Sequence, residues 1–183
     1  RLLNKAGYRV VVTDYMGLGD RGSAKVHTYL NRIDQGHALI DAARHTAKPD
    51  EKVAFWGYSQ GGGAAAAAAE LVGEYAPELN VVGTFAGAPP ALTDEGREML
   101  KELANSCVLD GPRVVTKPFS AYTKTGKTLA EAARTDARIY NVLEHNALGR
   151  VGTSAPIMVL TNPDDDMVPE PQATQLASDY CTV

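Results

Sequence analysis

A serine set among glycines can be held in a turn too tight for bulkier neighbours. The stretch Val53-Ala54-Phe55-Trp56-Gly57-Tyr58-Ser59-Gln60-Gly61-Gly62-Gly63 has that form. An apolar, β-type run leads in. An alanine-rich helix former, Ala64 to Ala69 followed by Glu70-Leu71-Val72, leads out. Strand, sharp turn and helix in that order are the setting of a G-x-S-x-G nucleophile elbow. Gly57 and Gly61 let strand and helix approach, Tyr58 and Gln60 bracket the serine, and Ser59 is pushed outward at the helix N-terminus. Free backbone N–H groups there, that of Gln60 first, face developing negative charge. The chemistry this allows is attack on a carbonyl carbon, with the oxyanion held by backbone amides. The competing reading is an ordinary glycine-rich turn, and the flanking elements argue against it.

A serine hydroxyl is a weak nucleophile until a histidine accepts its proton and an acid orients that histidine. On a parallel sheet with a serine elbow, the chain order is Ser, then Asp or Glu, then His. Asn162-Pro163-Asp164-Asp165-Asp166-Met167-Val168-Pro169 follows an apolar run and supplies three candidate acids. An acid, two residues, then Val-Pro is the common arrangement, which selects Asp165 ahead of Asp164 and Asp166. The competing reading is a solvated acidic turn. His27, His37, His45 and His145 all precede Asp165. The first three read as polar residues in or beside a helix, and His145 would invert the chain order. The expectation is therefore that the histidine lies beyond Val183 and the second oxyanion donor upstream of Arg1.

The elements that must position these groups follow an alternating rhythm. Gly7 to Asp14 reads as a buried strand, ending in the turn Met16-Gly17-Leu18-Gly19. Tyr29, Ile33, Gly36, Ile40, Ala43 and Ala47 recur at helical spacing until Lys48-Pro49-Asp50. Val53 to Trp56, Val81 to Ala86 and Ile157 to Thr161 read as further strands, with a helix from Gly62 to Tyr75. Strands apolar on both faces, alternating with helices, predict an α/β fold with a parallel sheet covered on both sides. Residues 92–153 break the rhythm with two helical patterns, from Thr93 and from Leu129 to Leu148, around a polar stretch from Thr116 to Lys127. They read as a helical cap-like insertion between core segments 1–91 and 154–183.

Bulk properties narrow the function classes. The chain has 183 residues and a formal net charge of −4, with 44% hydrophobic and 22% charged residues. That is enough for one domain with a real core. No basic block points to nucleic acid, and no apolar run reaches the ~20 residues of a membrane-spanning helix. Gly17, Gly19 and Gly22 approach a dinucleotide fingerprint, but the segment lacks a P-loop lysine and reads as a turn after a strand. No Cys/His cluster points to zinc, and no metal or organic cofactor is implied.

With those residues in view, the chain resembles the secretory lipase family of α/β-hydrolases. The similarity is carried by Gly7-Tyr8-Arg9-Val10-Val11-Val12-Thr13-Asp14-Tyr15, by Gly57-Tyr58-Ser59-Gln60-Gly61-Gly62, and by Tyr75-Ala76-Pro77-Glu78-Leu79-Asn80. Phe85-Ala86-Gly87-Ala88-Pro89-Pro90 and the Asn162 to Pro169 loop complete it. The resemblance implies an exported lipase or esterase with a Ser-Asp-His triad and a helical cap. By position, Ser59 and Asp165 fit the nucleophile and the acid, and Gln60 the backbone oxyanion donor. It also implies a disulfide between Cys107 and Cys181. The insertion looks shorter than the family's caps, as if a segment were missing between Ala91 and Leu92. The expected substrate is an acylglycerol or related lipid ester, with transient contact to a lipid interface. The rival readings are an acyltransferase using the same acyl-enzyme, and a non-catalytic hydrolase-fold fragment.

Overall fold

The computed structural model describes residues 2–18, 27–92, 134–165 and 167–183. Along these the chain forms α1 (Leu2–Lys5), α2 (Arg32–Thr46), β1 (Lys52–Tyr58), α3 (Gln60–Tyr75), β2 (Asn80–Gly87), α4 (Ala137–Asn146), β3 (Ile157–Leu160) and α5 (Glu170–Tyr180). The three strands make one sheet in the order β1-β2-β3, and both pairings are parallel. All three therefore end at the same edge, the one from which open α/β sheets present their sites.

Small residues set the packing distance. Ala64 to Ala68 on α3 are wholly buried. With no long side chains to hold it off, α3 lies directly on β1 and β2. Ile40 of α2, Phe55 of β1 and Ala65, Ala68 and Val72 of α3 form one core cluster. Ala66 and Ala67 of α3, Ala86 of β2, Leu176 of α5 and, outside the elements, Ala91 and Leu148 form a second, with Ile157 and Val159 of β3 packed against it. Both clusters lie on one face of the sheet, so α2, α3 and α5 share that face.

The opposite face carries a row of apolar side chains. Phe85 is in register with Trp56 on one side and Met158 on the other. Trp56 and Phe85 stack with ring centroids 5.7 Å apart. Trp56, Tyr58, Met158 and Leu160 are nevertheless exposed. Among the described residues no helix covers this row.

The expected first strand is corrected by the structure. Residues 8–15 form no ladder, and Tyr8, Val10, Val11 and Val12 are exposed. A β-type composition becomes a strand only when a neighbour accepts its backbone bonds. Here the segment is anchored by an Arg9–Glu51 ion pair instead. The start of α2 also shifts from the periodic pattern. Leu30 takes a left-handed φ of 62° and reverses the chain. Asn31 then caps α2 by accepting the Asp34 amide at 2.9 Å. Tyr29 therefore precedes the helix. Of the insertion, α4 lies within the pattern from Leu129 to Leu148; the helix from Thr93 and the polar stretch from Thr116 fall outside the described residues.

Candidate functional site

Ser59 occupies the residue between β1 and α3 with φ 55° and ψ −123°. A non-glycine residue held at such angles costs on the order of 1–3 kcal/mol, and such strain concentrates at functional sites. A serine at a helix N-cap ordinarily spends its hydroxyl on the amides of the first turn. Ser59 makes no side-chain cap hydrogen bond. Its hydroxyl is thus not spent on capping the helix, while its backbone still starts it, with the Gly63 amide donating to the Ser59 carbonyl at 3.1 Å.

The glycines around it are steric requirements. A Cβ on Gly57 would lie 1.9 Å from the Gly61 carbonyl oxygen, and one on Gly62 would lie 2.2 Å from that of Gly87. Strand and helix meet backbone to backbone on both sides of the turn. Tyr58 itself points to the exposed sheet face.

The acid loop leaves β3 at the same edge. Asp165 Oδ1 accepts the amides of Met167 and Val168, each at 2.9 Å. This fixes the carboxylate by one oxygen and leaves Oδ2 to accept another donor. Asp164 is exposed, and its amide donates to the side chain of Asn162 at 3.2 Å. Asp166 lies outside the described residues. Of the two described acids, Asp165 alone has a backbone-anchored carboxylate. Two strand spacings separate the ends of β1 and β3, roughly 10 Å. The intervening strand links them. The Ser59 amide donates to the Gly87 carbonyl at 2.9 Å, and the Ala88 amide to the Leu160 carbonyl at 2.7 Å.

The four histidines are dispersed. His37 stacks on Tyr75 at 3.7 Å within the α2–α3 contact. His45 is exposed in the last turn of α2, and His145 is exposed in the last turn of α4. His27 is the one that composition and periodicity misplace. It is buried, outside α2, with Nδ1 2.9 Å from the Met16 carbonyl and Nε2 2.9 Å from Nε2 of Gln60. Tyr15 and Tyr29 flank its ring, each with a centroid distance of 6.1 Å. Burial raises the pKa of both tyrosines above the usual phenol value, and the Tyr15 hydroxyl lies beside Gly61 of the elbow. Nothing local in the sequence marks His27, whose partners lie 11 and 33 residues away.

Behind the site, Glu70 joins four segments. Its buried carboxylate pairs with Arg32 and accepts the Tyr180 hydroxyl and the Gly149 amide, each of these two at 2.7 Å. Tyr180 is pushed well above the usual phenol pKa, first by burial and then by the Glu70 charge. Cys181 is exposed with a free thiol, and Cys107, its partner in the expected disulfide, lies outside the described residues.

A parallel sheet covered by helices, with a strained serine after one strand and an anchored aspartate after another, is an α/β-hydrolase core. Solved structures share this fold. The chain superposes on a rice cell wall degrading esterase, LipA of Xanthomonas oryzae, with a TM-score of 0.65 at 19% identity, covering 92% of this chain and 59% of that one. Candida antarctica lipase A gives 0.62 at 20% identity, covering 84% and 47%.

The chain belongs to the secretory lipase family, whose model matches residues 1–94 and 90–183. Among curated relatives it is 24% identical to Lipase A of Arthroderma benhamiae, over 96% of this chain and 46% of that protein. It is 25% identical to a secreted triacylglycerol lipase of Malassezia globosa over the same shares. It is also 36% identical to a probable inactive lipase of Mycobacterium tuberculosis, over 45% of this chain and 19% of that protein. The chain spans about half the length of the two relatives that it matches from end to end.

Proposed function

We propose that this chain carries the nucleophile and acid of a secreted serine ester hydrolase acting on acylglycerols or similar lipid esters. The observation that carries the reading is Ser59 at φ 55° with its hydroxyl uncommitted to the helix it starts. Ser59 Oγ attacks the ester carbonyl carbon, and its proton passes to a histidine acting as general base. The Gln60 amide at the head of α3 donates to the oxyanion. Collapse of the tetrahedral adduct breaks the bond to the alkoxy oxygen, which takes the proton from the histidine. Water then repeats the sequence and releases the acid. Asp165, held through Oδ1, orients the histidine through Oδ2 and stabilises its cationic form. The lipase names of relatives support the substrate class. The family's description supports export.

The test is a fluorophosphonate probe together with hydrolysis of p-nitrophenyl butyrate, applied to the full-length protein and to Ser59→Ala. Labelling at Ser59, with turnover falling by roughly 10⁵-fold or more in the variant, supports the reading. Equal labelling and turnover in both sink it. The relative named a probable inactive lipase gives a second reading, a hydrolase-fold protein that binds esters without cleaving them. Labelling of Ser59 with no turnover of any ester would favour it.

A further inference from the structure

His27 makes two polar contacts of opposite kind. Its Nδ1 faces a carbonyl, that of Met16, which only accepts; its Nε2 faces the Gln60 side-chain amide nitrogen, which only donates. A single tautomer satisfies both: Nδ1 carries the proton and Nε2 is the acceptor. The ring is buried between Tyr15 and Tyr29, so it has little room to turn. Gln60 is the first residue of α3 and follows Ser59 directly. Its side chain is therefore clamped to a ring that is itself clamped to the turn at Met16.

We propose that His27 is a positioning residue for ester hydrolysis, and that it acts through Gln60. By holding the Gln60 side chain, it fixes the orientation of the peptide between Ser59 and Gln60, whose N–H faces the oxyanion. The proposal rests on the Ser59 reading above. An oxyanion donor acts through its fixed aim, and losing one outright lowers turnover by about 10²–10³-fold. Releasing its anchor lets the donor drift rather than removing it, so the expected loss is smaller, about tenfold.

The test uses the full-length protein with p-nitrophenyl butyrate. His27→Phe keeps a ring between the two tyrosines and removes both polar contacts. Gln60→Met breaks the same link from the other side and keeps the backbone donor. Each is expected to lower kcat about tenfold with KM within about twofold, while fluorophosphonate still labels Ser59. The double variant is expected to be no slower than the slower single, because both break one link. Long-range ¹H–¹⁵N spectra of the wild type are expected to show His27 protonated at Nδ1 and bare at Nε2. Wild-type kcat in either single variant, multiplicative losses in the double, or a proton on Nε2 would each overturn the proposal. Failure of the wild type to label or turn over would instead overturn the Ser59 reading, and the positioning role of His27 with it.

Discussion

The amide of Ser59 donates to the carbonyl of Gly87 at 2.9 Å, joining the elbow to the end of the neighbouring strand. The bond is possible because α3 starts almost on top of β2. The same carbonyl oxygen lies 2.2 Å from where a Cβ on Gly62 would sit. Real Cβ atoms do not approach a backbone oxygen that closely, so an added methyl must push α3 off the sheet. Gly62→Ala is expected to destabilise the fold by about 1–3 kcal/mol through overpacking, read as a lower urea midpoint. The same shift moves Ser59, so the variant should also label more slowly with fluorophosphonate than wild type.

The acid loop contains two described aspartates in different circumstances, and substitution separates them. Asp165 is anchored through Oδ1 by the amides of Met167 and Val168. Asp165→Asn keeps an oxygen for those amides but, in the proposed mechanism, places an amide group where the histidine needs a carboxylate. In the Ser-His-Asp template the equivalent change costs about 10⁴-fold in kcat through the wrong imidazole tautomer, and a fall of that order is expected here. Asp164 is exposed. Asp164→Asn is expected to leave kcat within about twofold. Steady-state kinetics on both variants decide the assignment, and the reverse pattern would transfer it to Asp164.

What the sequence made legible was local. The elbow could be read because each requirement sits within a few residues of Ser59: a glycine where β1 meets α3, small residues where α3 meets β2. The anchored turn at Asp165 is local too: Val168 and Pro169 follow at a fixed distance, and the same short range supplies its backbone anchors. Residues 8–15 misled because their composition is that of a strand, while strand formation depends on a partner that local residues do not disclose. The exposure of the apolar row on the opposite sheet face escaped for the same reason. Trp56 and Met158 have the composition of a buried face and are exposed. His27 escaped because it gains meaning only from Met16 and Gln60, brought to it by tertiary folding.

Glu70 shows how strongly the rear of the site depends on one buried charge. Its side chain is fully buried and that of Arg32 is 11% exposed. Glu70→Leu would leave the guanidinium, the Tyr180 hydroxyl and the Gly149 amide without their acceptor. Breaking a buried pair from one side costs about 3–5 kcal/mol, and a loss of that size is expected in urea denaturation. The exposed pair Arg44–Glu78 is the control. Arg44→Ala should change stability by less than about 1 kcal/mol.

Tyr180 gives this hub a pH signature. Its pKa is raised well above the usual phenol value, mainly by burial and then by the neighbouring Glu70 charge. In the unfolded chain the phenol begins to ionise near pH 10, while in the folded chain it keeps its proton and its hydrogen bond to Glu70. The folded state then binds more protons than the unfolded state, so stability must fall as pH rises above about 10 and is unaffected well below it. The slope from this single group approaches about 1.4 kcal/mol per pH unit. Tyr15 and Tyr29, also raised by burial, add to the same alkaline loss. Tyr180→Phe is expected to be less stable than wild type at neutral pH by roughly 1–2 kcal/mol, because Glu70 loses a donor. It should also have a shallower fall above pH 10. Urea midpoints measured from pH 7 to 11 test both halves. Parallel alkaline limbs in the two proteins would mean that the phenol ionises as readily in the folded chain as in the unfolded one.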